Sequence, residues 1–110
     1  MATFLTIGYG NRKGYDAAPQ AAKVAAHRQD AALLAEGAII GIAGSPLQVR
    51  NLHGSGTAIM KGAFMSSDLP IAGFSLIEAS DLDDAIKKVA GVPCAVTDGV
   101  VEIWPLEMLS

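Results

Sequence analysis

Residues 71–89, IAGFSLIEASDLDDAIKKV, decide the fold because a strand pattern is followed there directly by a helix pattern. Ile71–Ala79 is rich in β-branched and aromatic residues, which predicts a strand. Ser80 stands three residues before Asp83, a spacing that resembles a capping box and predicts a helix start. Apolar residues then recur at the spacing of one helix face, at Leu82, Ala85, Ile86 and Val89. The stretch therefore predicts a strand joined to a short amphipathic helix.

The rest of the chain supplies the other elements of two strand-helix-strand units. Thr3–Tyr9 predicts a strand, and Asp16–Glu36 predicts an Ala-rich helix that Gly37 ends. Ala38–Ala43, with three isoleucines, predicts a short buried strand, and Val100–Leu106 predicts the last strand. Two β-α-β units in one small chain are typical of the ferredoxin-like arrangement, an α+β fold.

Two connecting segments complete this pattern. Residues 47–52 and 57–64 predict the strands of a hairpin, joined by the turn His53-Gly54-Ser55-Gly56. The glycine-rich residues 8–14 lack the Gly-Lys-Ser/Thr ending of a phosphate-binding loop, so they predict a solvated loop instead.

The length, net charge and composition of the chain limit the classes of protein to which it can belong. The 110 residues predict a single domain over residues 1–110. The net charge of −3 argues against a nucleic-acid partner, because an acidic chain lacks the cationic surface that neutralises phosphates. No apolar stretch reaches the length of a bilayer span and no signal-peptide pattern begins the chain, so we expect a soluble, cytoplasmic protein without membrane contact. The lone Cys94 cannot form an internal disulfide.

Two of the predicted strands carry apolar residues at both parities. In Ile71–Ala79, Phe74 and Leu76 would lie on one face of the strand and Ile77 on the other. Val100–Leu106 likewise has apolar residues on both faces. A sheet wetted on one face alternates apolar and polar residues, whereas burial of both faces removes the alternation. Helices would cover one face only. We therefore expect a homodimer in which a second copy covers the other face.

Four short motifs in the second half of the chain resemble one known family. They are Lys61-Gly62-Ala63-Phe64, Ile71–Glu78, Asp81–Ile86 and Gly99–Leu106, and they occur in this order. The chain resembles the YCII-related family, including its branch named for an Asp-Gly-Pro-Phe motif. The resemblance implies a dimeric α+β barrel, in which two ferredoxin-like sheets close face to face. Lys61 and Ala63 replace the Asp and Pro of that motif, and Trp104 replaces an Arg, so the chain would be a diverged member.

His27 and Asp30 are the candidate catalytic residues. The two are three positions apart on the predicted helix, where a carboxylate can hydrogen-bond a ring nitrogen and raise its basicity. Such a pair beside a cleft could abstract a proton from a substrate, and some relatives look like acid–base enzymes using a His–Asp pair. The competing interpretation is a boundary histidine packed at a sheet edge beside a solvated Asp30.

A further set of residues could line a ligand cleft: His53, Lys61, Phe64, Glu78 and Glu102. The competing interpretations are an exposed turn histidine at His53 and strand-end acids that reach water at Glu78 and Glu102. Two histidines without clustered cysteines or acids make a poor metal site, so we predict no metal and no cofactor. The leading hypothesis is a homodimer that handles a small molecule in a barrel cleft, with His27 as a base. The alternative is a non-enzymatic ligand-binding or regulatory dimer, of the type associated with sigma factors, so the sequence leaves enzymatic activity open.

Overall fold

A four-stranded antiparallel sheet forms the centre of the molecule in the computed structural model, which describes residues 1–109. Its strands stand in the order β2-β5-β1-β6. They are β1 (Ala2–Tyr9), β2 (Ile39–Ile42), β5 (Ile71–Ala79) and β6 (Val100–Leu106). The strands β3 (Leu47–Arg50) and β4 (Ala58–Lys61) pair only with each other, as a separate hairpin. The protein is therefore an α+β protein, as the sequence predicts.

Four α-helices accompany the sheet within residues 1–109. They are α1 (Arg12–Ala17), α2 (Gln20–Ala35), α3 (Leu82–Val89) and α4 (Pro93–Val96), and a short 3-10 turn covers Leu52–Gly54. None of the helices within residues 1–109 is long and apolar enough to cross a membrane.

The core lies between one face of the sheet and α3. Phe4 and Ile77 are cross-strand partners and point to the same face, together with Ala79. They pack against Ala85 and Val89 of α3. Residues of the strands alternate between faces, so every second residue lies on the opposite face. We call that opposite side of the four-stranded sheet the open face.

The predicted strands agree with the structure better than the predicted helices do. Ile71–Ala79 and Val100–Leu106 have the predicted bounds. The helix predicted over Asp16–Glu36 is observed as α2, Gln20–Ala35, but its start is wrong, because Ala18 and Pro19 have extended backbone that separates α1 from α2. A proline lacks the N–H that would continue the α1 ladder, which explains the break.

The glycine-rich segment is also different from its prediction. The solvated loop over residues 8–14 is wrong, since α1 begins inside it at Arg12. The Asn11 side chain caps this helix by accepting a hydrogen bond of 2.8 Å from the Gly14 N–H.

The capping box before α3 is shifted by one residue. Asp81 is the N-cap and accepts from the Asp84 N–H, while the Asp84 carboxylate accepts from the Ser80 N–H.

Exposure differs from prediction at two apolar elements. The strand predicted to be buried over Ala38–Ala43 is an edge strand, and Ile42 is 95 % exposed in the single chain. On α3, Ala85 and Val89 face the core, but Leu82 and Ile86 lie half exposed on its outer side. Helix α3 therefore buries two of the four residues of its predicted apolar face.

Candidate functional site

An apolar row crosses all four strands of the open face. Strand register aligns Ile39 with Leu76, Leu76 with Leu5, and Leu5 with Trp104. Three of these side chains are exposed, and Trp104 keeps 48 % of its surface in contact with solvent. A row of large apolar side chains at the centre of a sheet is unusual on the surface of a monomer.

A carboxylate lies in the neighbouring row. There the register aligns Gly41, Phe74, Ile7 and Glu102 across the sheet. The Tyr9 hydroxyl donates a hydrogen bond of 2.5 Å to Glu102 Oε1. This hydrogen bond, partial burial and the negative charge of Glu102 together raise the pKa of Tyr9 above its ordinary value. The phenol therefore stays protonated as a donor, and Tyr9 and Glu102 form a polar pair within an apolar surface.

Glu78 lies at the other end of the open face, paired in register with Thr3. Its backbone carbonyl accepts a hydrogen bond of 2.9 Å from Lys88 Nζ. Within residues 1–109 its carboxylate has no hydrogen-bond or ion-pair partner. Glu78 also lines a groove of about 240 Å³ beside the edge strand β2. We call this the β2-edge groove; its lining includes Leu33, Glu36, Ala38, Ile39, Leu76 and Met108.

His27 and Asp30 lie on α2, in the helix layer and away from the open face. His27 is exposed, and its Nε2 shares a hydrogen bond of 2.7 Å with the Tyr15 hydroxyl of α1. Asp30 is half-buried, and burial raises the pKa of its carboxyl, while the charge of His27 opposes that rise. No hydrogen bond or ion pair joins the two side chains among the described residues, and neither residue lines the two cavities found here.

Cys94 lies near Asp30. Burial raises the pKa of the Cys94 thiol, and the negative charge of Asp30 adds to that rise. A thiol in this environment stays protonated and is a poor nucleophile.

The three remaining predicted cleft residues belong to the hairpin. His53 lies in its turn with a positive φ of 54° and is exposed. Lys61 ends β4 and is also exposed. Phe64 follows, with the Arg50 guanidinium 5.8 Å from its ring centroid. A second cavity of about 510 Å³ lies along this part of the hairpin. The hairpin does not pair with the four-stranded sheet, so these three residues lie outside the strand register that contains Glu102.

Sequence reasoning missed two residues that the structure makes relevant. Tyr9 was part of a predicted strand, and only the register between β1 and β6 shows that it reaches Glu102. Tyr15 was assigned no role, and the short helix α1 places it against His27. Within residues 1–109, no three His, Cys, Asp or Glu side chains lie together as metal ligands would.

Comparison of the chain with protein-family models and with curated proteins finds no match.

Proposed function

We propose that the protein is a homodimer that binds a small apolar molecule between the open faces of its two copies. In this assembly the sheets pack face to face as a dimeric α+β barrel, and each copy has the ferredoxin-like arrangement. The strand order β2-β5-β1-β6 supports this proposal, because it separates the two strands of each β-α-β unit by a strand of the other unit. The chain would then be a diverged member of the YCII-related family, which its second-half motifs resemble.

The surface area of the single chain supports a second copy as the cover. Folded monomers of 11.3 kDa expose about 5,700 Å² by the usual scaling with mass. This chain exposes 7770 Å², an excess of about 2,000 Å² over that scaling. Permanent homodimers bury about 2,000 to 5,000 Å² in total. An excess of this size on each copy matches what such a dimer needs.

The polar pair of Tyr9 and Glu102 is the observation that carries the binding function. A closed apolar interface has no need of a carboxylate, and burying one is costly unless hydrogen bonds satisfy it. Tyr9 satisfies one oxygen of Glu102, and the other has no partner within the described residues. Gly41 lies in the same row and contributes no side chain, which leaves room beside Phe74. The expected ligand is therefore an aromatic-sized apolar molecule with one hydrogen-bond donor for Glu102.

The geometry of His27 favours binding over acid–base catalysis. Its Nε2 bonds to Tyr15, it lies in the helix layer, and it lines neither cavity. A general base must reach the proton that it abstracts from a substrate in a cleft. The proposal therefore assigns ligand contact to Tyr9 and Glu102 and gives His27 no catalytic role.

Binding can be tested with N-phenyl-1-naphthylamine, a neutral aromatic probe that carries one N–H donor and fluoresces in apolar surroundings. The wild-type dimer should show saturable fluorescence enhancement, and Glu102→Gln should weaken binding about tenfold, as expected for the loss of one charged hydrogen-bond partner. Glu107→Gln removes an exposed acid beyond the end of β6 and serves as the matched control, with unchanged binding.

Two results would contradict the proposal. One is probe fluorescence that rises without saturation or responds equally to both substitutions. The other is sedimentation of the wild-type protein as a stable monomer at micromolar concentration.

A further inference from the structure

The β3–β4 hairpin, residues 46–65, extends away from the body of the molecule, and we call it the arm. Nearly all of its residues are exposed. The radius of gyration is 15.9 Å and the longest extent is 52 Å, whereas a globular chain of this length has a radius of about 13 Å. An isolated two-stranded hairpin is at best marginally stable in water. The arm therefore needs a surface to pack against, and its own body does not provide one.

The arm has one predominantly apolar face. Register aligns Leu47 with Lys61 and Val49 with Ile59, so these four side chains share a face. The three aliphatic residues are 60 to 65 % exposed. The other face pairs Gln48 with Met60 and Arg50 with Ala58, so polar and apolar side chains are mixed there. The first face therefore carries three aliphatic side chains, with one cation at its end.

The charges of the arm complement those of the β2-edge groove. Residues 46–65 contain Arg50 and Lys61 but no acid. The groove is apolar and contains two carboxylates. Glu36 is already paired with Lys88 Nζ at 3.2 Å, whereas the Glu78 carboxylate has no partner within residues 1–109. An interface that covers Glu78 requires a cation, because an unpaired buried carboxylate is strongly destabilising.

We infer that the arm of each copy lies in the β2-edge groove of its partner. Leu47, Val49 and Ile59 pack on the groove's apolar lining, and Lys61 forms an ion pair with the partner's exposed carboxylate at position 78. This inference rests on the homodimer proposed above and adds a specific occupant for the groove. It also accounts for the arm and the groove together. Their apolar surfaces would cover each other, and the cation of the arm would pair with the unpaired carboxylate of the groove.

Zero-length cross-linking tests where the arm lies. Wild-type protein at natural isotope abundance is mixed with ¹⁵N-labelled protein, and the subunits are allowed to exchange so that mixed dimers form. The mixture is then treated with a carbodiimide, which joins amines to carboxylates that are in contact. Peptides linking Lys61 to Glu78 should carry mixed labels, which shows that the link joins two copies. A dimer that yields no such link, or only links within one copy, overturns the arm placement and leaves the dimer itself standing. A monomer overturns both proposals.

Charge reversal gives a second, independent test. Lys61→Glu and Glu78→Lys should each weaken the dimer about tenfold, since each changes both symmetric ion pairs to repulsion. The double variant should return the dissociation constant close to that of the wild type. Arg50→Glu is the matched control, because Arg50 lies on the other face of the arm. Equal weakening by Arg50→Glu, or a double variant weaker than both single variants, would overturn the pairing. Circular dichroism of each variant confirms that the monomer is folded.

Discussion

Truncation of Trp104 is the sharpest test of the proposed dimer. Trp104 is the single tryptophan of the chain, lies in the central apolar row of the open face and is 48 % exposed. A buried aromatic side chain removes about 150 to 250 Å² from water, so the exposed half of Trp104 offers about 100 Å² to a partner. At about 25 cal/mol per Å², this contributes about 2.5 kcal/mol for each copy.

Symmetry doubles that contribution. In the proposed dimer both copies place Trp104 at the interface, and alanine would retain only a small part of the contact. Trp104→Ala should therefore reduce the free energy of dimerisation by about 4 kcal/mol, which weakens the dissociation constant about a thousandfold. Because area burial gives an upper estimate of the energy gained, the measured change should not exceed this value greatly.

Sedimentation equilibrium over a range of concentrations measures the dissociation constant directly. Leu82→Ala is the control, since Leu82 is also 48 % exposed but lies on α3 in the helix layer. Wild type and control should dimerise equally. In both, dilution should shift the Trp104 emission to longer wavelength as the indole becomes exposed. If Trp104→Ala leaves the dissociation constant unchanged, the open face is not the interface and the reasoning fails.

Three further predictions concern the single copy. Ile77→Ala, in the core between sheet and α3 where Ile77 is 2 % exposed, should lower the free energy of unfolding by about 3 kcal/mol, as measured by urea denaturation. Gly99→Ala should destabilise the fold by about 1 to 3 kcal/mol in the same assay, because the added Cβ would lie within 2.6 Å of the carbonyl oxygens of Tyr9 and Cys94. The raised pKa of Tyr9 means that the folded state holds the phenolic proton more tightly than the unfolded state. The stability that Tyr9 contributes in this way should be complete below pH 10.0, the ordinary pKa of tyrosine, and should be lost as pH rises further. Glu102→Gln should lower the Tyr9 pKa, as measured by ultraviolet titration, and should remove most of this pH-dependent loss of stability.

Strands were predictable here because their signal is local. Ile71–Ala79 and Val100–Leu106 consist mainly of residues that favour extended backbone and follow the breakers Pro70 and Gly99, so local composition places them closely. Helix boundaries depend on single capping contacts, which the pattern left ambiguous. Asn11 was one of several polar residues in a glycine-rich segment, and only its contact with the Gly14 N–H identifies it as a cap.

The candidate site was less predictable because its contacts join distant parts of the chain. Tyr9 and Glu102 are 93 residues apart, and their meeting depends on the register of β1 against β6. A shift of one residue would send their side chains to opposite faces. The His27–Asp30 pair was inferred from helical spacing, which places two residues on neighbouring positions but does not choose the partner of a ring nitrogen. The Tyr15 hydroxyl from α1 forms that bond instead.

Parity along β5 separates the residues that stabilise one copy from those that would serve the proposed assembly and binding. Ile77 and Ala79 point to the helices and are buried within the single chain. Phe74, Leu76 and Glu78 alternate with them and point to the open face, where the single chain leaves them exposed. Substitutions at the first set should change the unfolding of the monomer, whereas substitutions at the second set should change dimerisation while the monomer stays folded. The sequence shows apolar residues at both parities of this strand. The best explanation is that its two faces meet different requirements, one for the folding of a single copy and one for the proposed assembly.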